Sequence, residues 1–133
     1  MRLIKPILFT VLCCSLITSC DPSVDYDQII ENRSDFDLWL KNEQDPTSDS
    51  MLIPSMEETI IAGWHGLGSP SQYQLCDNYS WIDLILHVKD HDTLHVQIDV
   101  TDPTIWTYTL LDDKGHGSGV CECRLIISNA DIR

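Results

Sequence analysis

Apolar and polar residues alternate along most of this chain in short runs, and each run stops at a cluster of turn formers. An extended strand sends successive side chains to opposite faces, so period-two alternation over a few residues marks a half-buried β-strand. The clearest case is 81–101. Ile82, Leu84, Leu86 and Val88 alternate with Trp81, Asp83, Ile85 and His87. On the return, Leu94, Val96, Ile98 and Val100 alternate with His95, Gln97, Asp99 and Thr101. Opposing Leu86 to Val96, Leu84 to Ile98 and Ile82 to Val100 keeps both apolar rows on one face, and a slip by one residue would expose the whole set. That register predicts a hairpin in which Asp90-His91-Asp92 is the loop between paired Lys89 and Thr93.

The other elements follow the same rule. Residues 26–32 form a first strand, ended by Asn32-Arg33-Ser34-Asp35. A second over 36–41 places Phe36, Leu38 and Leu40 on one face and Trp39 on the other. Residues 42–50 are a loop, and strands at 51–53 and 59–64 flank a turn at Pro54-Ser55-Met56-Glu57. The Gly- and Pro-rich stretch 65–71 predicts an irregular loop. A strand over 105–111 has Trp106, Tyr108 and Leu110 on one side, and 112–119, with three glycines, is a flexible turn. The last strand, 120–128, gathers Cys121, Cys123, Leu125 and Ile127 on one face, with Glu122 and Arg124 opposite. Residues 129–133 form a last turn or fray. No stretch holds a 3.6-residue period for more than two turns. Seven or so short strands in antiparallel order predict an all-β fold, a two-sheet antiparallel β-sandwich of immunoglobulin-like type, with a small β-barrel as the alternative.

The first twenty residues break this pattern. Arg2 and Lys5 precede an apolar stretch over 7–17, and Leu16-Ile17-Thr18-Ser19-Cys20 then gives way to Asp21-Pro22-Ser23. A membrane-crossing helix needs about 20 apolar residues, and this stretch has about half that. No alanine occurs before Ala62 to supply an ordinary A-x-A cleavage site. The layout resembles a bacterial lipoprotein signal. That resemblance implies cleavage before Cys20, diacylation of its thiol and acylation of the new amino terminus. It divides the chain into a signal peptide (1–19), a lipidated cysteine with a short acidic tether (20–27) and a β-sandwich domain (28–133). Two or three acyl chains, at about 0.8 kcal/mol per buried methylene, would hold the protein to a bilayer. The expected address is the cell envelope, lipid-anchored, at the outer membrane.

Losing the leader leaves one ordinary domain, which buries roughly two thirds of its unfolded surface. The net charge of −13 becomes −15 once Arg2 and Lys5 are gone. Such a balance excludes nucleic acid, whose binding rests on Lys and Arg neutralising phosphates. It also excludes a polybasic membrane contact, so the lipid must do the anchoring. Of the six cysteines, Cys76, Cys121 and Cys123 remain after Cys13, Cys14 and Cys20 are set aside. An odd set allows one internal bridge and one thiol left over. Cys76 with Cys121 or Cys123 is the candidate pair, closing a loop worth about 3–4 kcal/mol in the loop-entropy model.

Histidines at 87, 91 and 95 invite a metal reading, but the segment is a hairpin, so they do not line a helix face. His87 and His95 face each other across the strands, with His91 at the loop tip. Cross-strand partners have β-carbons about 5 Å apart, near enough to share a metal ion. The plainer reading is an exposed polar face. Acid pairs at Asp25/Asp27, Asp35/Asp37, Asp90/Asp92 and Asp112/Asp113 lack a calcium loop's ligand spacing and suit solvated turns. Gly115-His116-Gly117-Ser118-Gly119 is not a nucleophile elbow, and His65-Gly66-Leu67-Gly68 recreates an oxyanion loop only in outline. No catalytic residue is named and no cofactor is expected. Trp39 and Trp81 lie opposite their strands' apolar rows, which makes them the candidate ligand contacts for a sugar or peptide. Asn32-Arg33-Ser34 and Asn78-Tyr79-Ser80 match the N-glycosylation triplet. Asp49-Ser50-Met51 and Asp92-Thr93-Leu94 resemble sites at which Bacteroidetes O-glycosylate exported proteins.

The run Ile29-Ile30-Glu31-Asn32-Arg33-Ser34, then Ile53-Pro54-Ser55-Met56-Glu57-Glu58, the hairpin, Trp106-Thr107-Tyr108 and the ending Ile127-Ser128-Asn129-Ala130-Asp131-Ile132 resemble small Bacteroidetes lipoproteins. The chain departs from their pattern in Asp131-Ile132 and in Cys121-Glu122-Cys123. The resemblance implies an uncharacterised β-rich lipoprotein and carries over no catalytic residue. The expectation is a non-enzymatic, membrane-tethered binding or accessory module with a glycan or an envelope protein as partner. The alternative is a structural subunit of an envelope assembly joined through an edge strand, with a metal carrier or an enzyme third.

Overall fold

The computed structural model describes residues 21–45, 50–77 and 83–133. Its strands are β1 (Ser23–Arg33), β2 (Leu38–Asn42), β3 (Met51–Ile53), β4 (Glu57–Leu67), β5 (Leu84–Val88), β6 (Thr107–Gly115) and β7 (Ser118–Ser128). They form a four-stranded sheet in the order β4-β1-β7-β6 and a three-stranded sheet in the order β3-β2-β5. The two sheets pack together as an all-β sandwich that is not closed into a barrel. Alternation is what builds it. From the larger sheet, Val24, Tyr26, Ile30, Cys121, Cys123, Leu125 and Ile127 point inward; Leu38, Leu40, Ile53, Leu86 and Val88 meet them from the smaller one.

One ladder departs from the expected antiparallel order. β1 and β7 run parallel, from Val24 opposite Gly119 to Arg33 opposite Ser128. A parallel pair cannot be closed by a hairpin and needs a crossover. Here nearly the whole chain between the two strands serves as one.

Several segments differ from the sequence reading; the strand expected over 105–111, for one, begins at Thr107 after a 3₁₀ turn at Pro103–Ile105. The stretch 20–27, expected as an acidic tether, is strand from Ser23 onward, with Val24 and Tyr26 buried. Asp25 and Asp27 alternate with those two apolar residues, so an amphipathic strand was hidden behind acidic composition. The loop expected over 65–71 is instead the end of β4, paired to β1 as far as Ser23 opposite Leu67, followed by a 3₁₀ turn at Pro70–Tyr73. The flexible turn at 112–119 is a tight hairpin. Gly115 pairs with Ser118 across His116 and Gly117, whose φ angles of 53° and 81° suit the type I′ turn that matches strand twist.

The hairpin at 81–101 forms only in part. β5 pairs with β2, Leu38 opposite Val88 through Asn42 opposite Leu84. Among the described residues a single bridge joins β5 to the return segment, His87 to His95, in the register the apolar rows predict. The Leu86–Val96 and Leu84–Ile98 rungs are not made, and the Ile82–Val100 rung lies outside the described residues. On its other edge the return segment pairs with residues 131–133. His95 and Arg133 exchange backbone bonds of 2.7 and 3.0 Å, and the Gln97 N–H donates to the Asp131 carbonyl at 2.8 Å. The faces hold all the same: Leu94, Val96 and Ile98 pack against the core, Val100 is buried, and His95, Gln97 and Asp99 are exposed.

Among the described residues one disulfide joins Cys76 to Cys123, with Cα atoms 5.8 Å apart, and leaves Cys121 as a buried free thiol. Cys76 reaches Cys123 because the Pro70–Tyr73 turn lies across the inner face of β1, where Tyr73 stacks on Tyr26 at 4.1 Å.

Candidate functional site

Three residues singled out from the sequence meet in one row on the outward face of the smaller sheet. Trp39 of β2 stands opposite Leu52 of β3 on one side and His87 of β5 on the other. His87 in turn bridges His95. The row exists because each of these residues is the odd member of an alternating strand, facing away from Leu38, Leu40, Leu86 and Val88. Trp39 is half-buried and both histidines are exposed. Trp81, the other candidate contact, lies outside the described residues, as do Cys20, Asn78-Tyr79-Ser80 and Asp49.

Two concavities flank His87. One, of about 370 Å³, lies over the outward face and is lined by Lys41, Asn42, Glu43, Asp45, Ser50 and Ile85 beside His87. The other, of about 440 Å³, has residues 84–88 on one side, all but Val88 lining it, and the run 95–100 on the other. Consecutive residues line it on both sides, so inward- and outward-facing side chains contribute alike. It is therefore a slot between two strand edges, left where the hairpin fails to zip.

The remaining candidates resolve into structural roles. Asp25 meets Lys114 at 3.2 Å and His65 at 3.3 Å on the outer face of the larger sheet; Lys114 first, then His65, holds its carboxyl below the usual range. On the same face Arg124 reaches Glu31, Glu58 and Glu122 at 3.0, 2.7 and 3.0 Å, tying β1, β4 and β7 together. Asp37 accepts from the Ser55 N–H at 2.9 Å and from Lys89 at 3.3 Å, which lowers its carboxyl in that order. Asp113 accepts from the Gly115 N–H in the β6–β7 turn. Ser118 accepts from the Ser23 N–H, and His65 to Leu67, the oxyanion-loop likeness, are strand residues. Asn32 is fully buried, which takes the acceptor amide of the Asn32-Arg33-Ser34 triplet away from the surface. His91, at the hairpin tip, packs edge-on against Phe36 at 5.3 Å. Among the described residues no three His, Cys, Asp or Glu side chains gather as a metal ion would require.

Cys121 sits under Tyr108 and beside Tyr26 and Tyr73. Burial pushes its thiol up, and burial likewise raises all three tyrosines. A neutral, enclosed thiol is a poor nucleophile. Trp64 was not singled out from the sequence because it shares a face with Ala62 and Gly66 in a run read as strand and loop. It is half exposed. Comparison with protein-family models, curated proteins and solved structures finds no match to this chain.

Proposed function

We propose that this protein is a lipid-anchored envelope protein whose sandwich is a non-enzymatic binding module, and that its ligand is an extended polypeptide segment taken up beside β5. The slot between residues 84–88 and 95–100 carries this reading. A gap between two strand edges offers backbone N–H and C=O groups in a line, which is the requirement for adding a strand, and alternate side chains then set specificity. The outer row of Trp39, His87 and His95 gives such a segment an aromatic and polar shelf. Lipid anchoring at Cys20 rests on the leader alone.

Assembly through an edge strand is the second reading, supported by the length and exposure of β4, whose pattern leaves Ile60, Trp64 and Leu67 in solvent. That edge is blunted, however. A bulge interrupts its pairing between Gln28 and Ile29, and bulges with nearby charge are how native sheets discourage edge pairing. β6 at the opposite edge has two register shifts and Asp112, Asp113 and Lys114. β5 has no bulge, and Asp99 is the one acid that lines its slot.

Peptides of alternating apolar and polar residues, titrated into isotopically labelled protein, should shift the backbone amides of Leu84 to Val88 and of residues 96–99 saturably. The same peptides N-methylated at the pairing amides should lose the effect. Shifts confined to the β4 edge would favour the assembly reading, and no shift at either place across a broad panel would sink the β5 proposal.

A further inference from the structure

The chain is pinned as soon as its first strand begins. The Gly68 N–H donates to the Pro22 carbonyl at 2.9 Å, and the Ser23 N–H donates to Ser118 Oγ at 2.9 Å. Cys20 precedes Pro22 by two residues, a reach of about 7 Å at full extension. Strand structure from Ser23 onward therefore leaves almost no length to lift the sandwich away from whatever Cys20 is attached to.

That same end carries two exposed apolar side chains, one on each face of β4. Leu67 stands opposite Ser23 in the β1–β4 ladder and is 69% exposed. Trp64, 51% exposed, leans along β4 toward it, and its Nε1–H donates to the Leu67 carbonyl at 3.3 Å. Its ring lies 3.2 Å from the point where a side chain at Gly66 would begin, so the glycine makes room for the indole. A tryptophan with its N–H already partnered and its ring open to solvent suits the bilayer interface, where the apolar body enters and the polar edge stays wet.

We propose that Trp64 and Leu67 rest in the headgroup region of a zwitterionic phospholipid surface and set the sandwich upright on the end where β1 begins. The proposal rests on the reading of Cys20 as lipidated. Asp25, opposite His65 in the same ladder, and Asp21, two residues before Ser23, bring acid to this end and disfavour an anionic surface, which is why the partner is zwitterionic rather than merely lipid. The anchor supplies attachment, and the apolar pair supplies orientation.

The full acylated protein, reconstituted into phosphatidylcholine vesicles with brominated acyl chains, tests this. Tryptophan fluorescence should be quenched relative to ordinary phosphatidylcholine, with quenching lost in Trp64→Phe and kept in Trp39→Phe. Hydroxyl-radical footprinting of the unmutated protein needs no variant to fold: labelling of Trp64 and Leu67 should fall several-fold on vesicles relative to detergent-solubilised protein, with Trp39 unchanged. If neither quenching nor protection appears while mass spectrometry finds diacylated Cys20, the resting pose is wrong and the anchor stands. If Cys20 carries no lipid, the anchor reading fails and this proposal falls with it.

Discussion

Asn32 shows at the scale of one residue what joins the two sheets. Its Nδ2 donates to the carbonyls of Phe36, Ile53 and Pro54 at 2.8, 3.2 and 3.1 Å, and its Oδ1 accepts from the Ser34 backbone at 3.0 Å and hydroxyl at 2.6 Å. One side chain on β1 thus fixes the start of β2 and the end of β3. Asn32→Ala leaves several buried polar groups without partners and should cost about 3 kcal/mol, read as a lowered denaturant midpoint with unchanged slope. In the sequence Asn32-Arg33-Ser34-Asp35 marks the end of a strand correctly, yet nothing in four polar residues says that two of them are fully buried. The cysteines were legible to the same depth: one bridge with one thiol over could be counted, while the choice of partner depended on where the turn before Cys76 lies. Cys76→Ser should lower stability by about 3 kcal/mol. In the unmutated chain Cys121 should resist alkylation at neutral pH until denaturant opens the core, because burial raises its thiol and only the thiolate reacts.

Elements were found from alternation, and their limits were lost where glycine or acid interrupts it. The β6–β7 turn is the plainest example: three glycines suggest looseness, but two of them flank or occupy a two-residue turn that needs positive φ. Gly117→Ala, at φ 81°, should cost about 1 kcal/mol, whereas His116→Asn, at φ 53°, should raise the melting temperature, since Asn tolerates that conformation better. The hairpin at β5 failed for a different reason. Its register was specified by the apolar rows, but those rows also suit Ile132, which bridges Val96 and is itself buried. The segment is held on both edges, to β5 through His95 and to Ile132 through Val96, so the chain end sets how residues 96–99 meet β5, which only the assembled fold decides. Deleting Ile132 and Arg133 should let residues 96–99 close onto β5: amides of Leu84 and Leu86 then exchange more slowly, and peptide uptake beside β5 falls.

Across the whole molecule, a two-sheet sandwich was readable from strand count and spacing, whereas the parallel rungs between β1 and β7 were not, because no local pattern encodes which distant strand becomes a neighbour. Charge acts at this scale too. Asp25, Glu31, Asp37 and Asp102 are all held below their ordinary values of 3.8 or 4.5: Asp25 chiefly by Lys114, Glu31 by Arg33 and then Arg124, Asp37 by Ser55 and Lys89, and Asp102 by Thr104. The folded chain thus binds fewer protons at these groups than the unfolded one. Their contribution is complete above the ordinary values and disappears as pH falls through the lowered ones, so the melting temperature should drop as pH goes from about 5 to about 3. Asp37→Asn should flatten that profile. The parallel pairing has a last consequence, for timing. Among the described strands β1 is made first and β7 last, yet each needs the other at the centre of the larger sheet. Contacts so distant along the chain form slowly, and here they cannot form at all until synthesis has passed Ser128. Every nascent length that stops short of β7 lacks a central strand of that sheet, so the sandwich stays open and threadable until β7 has been made.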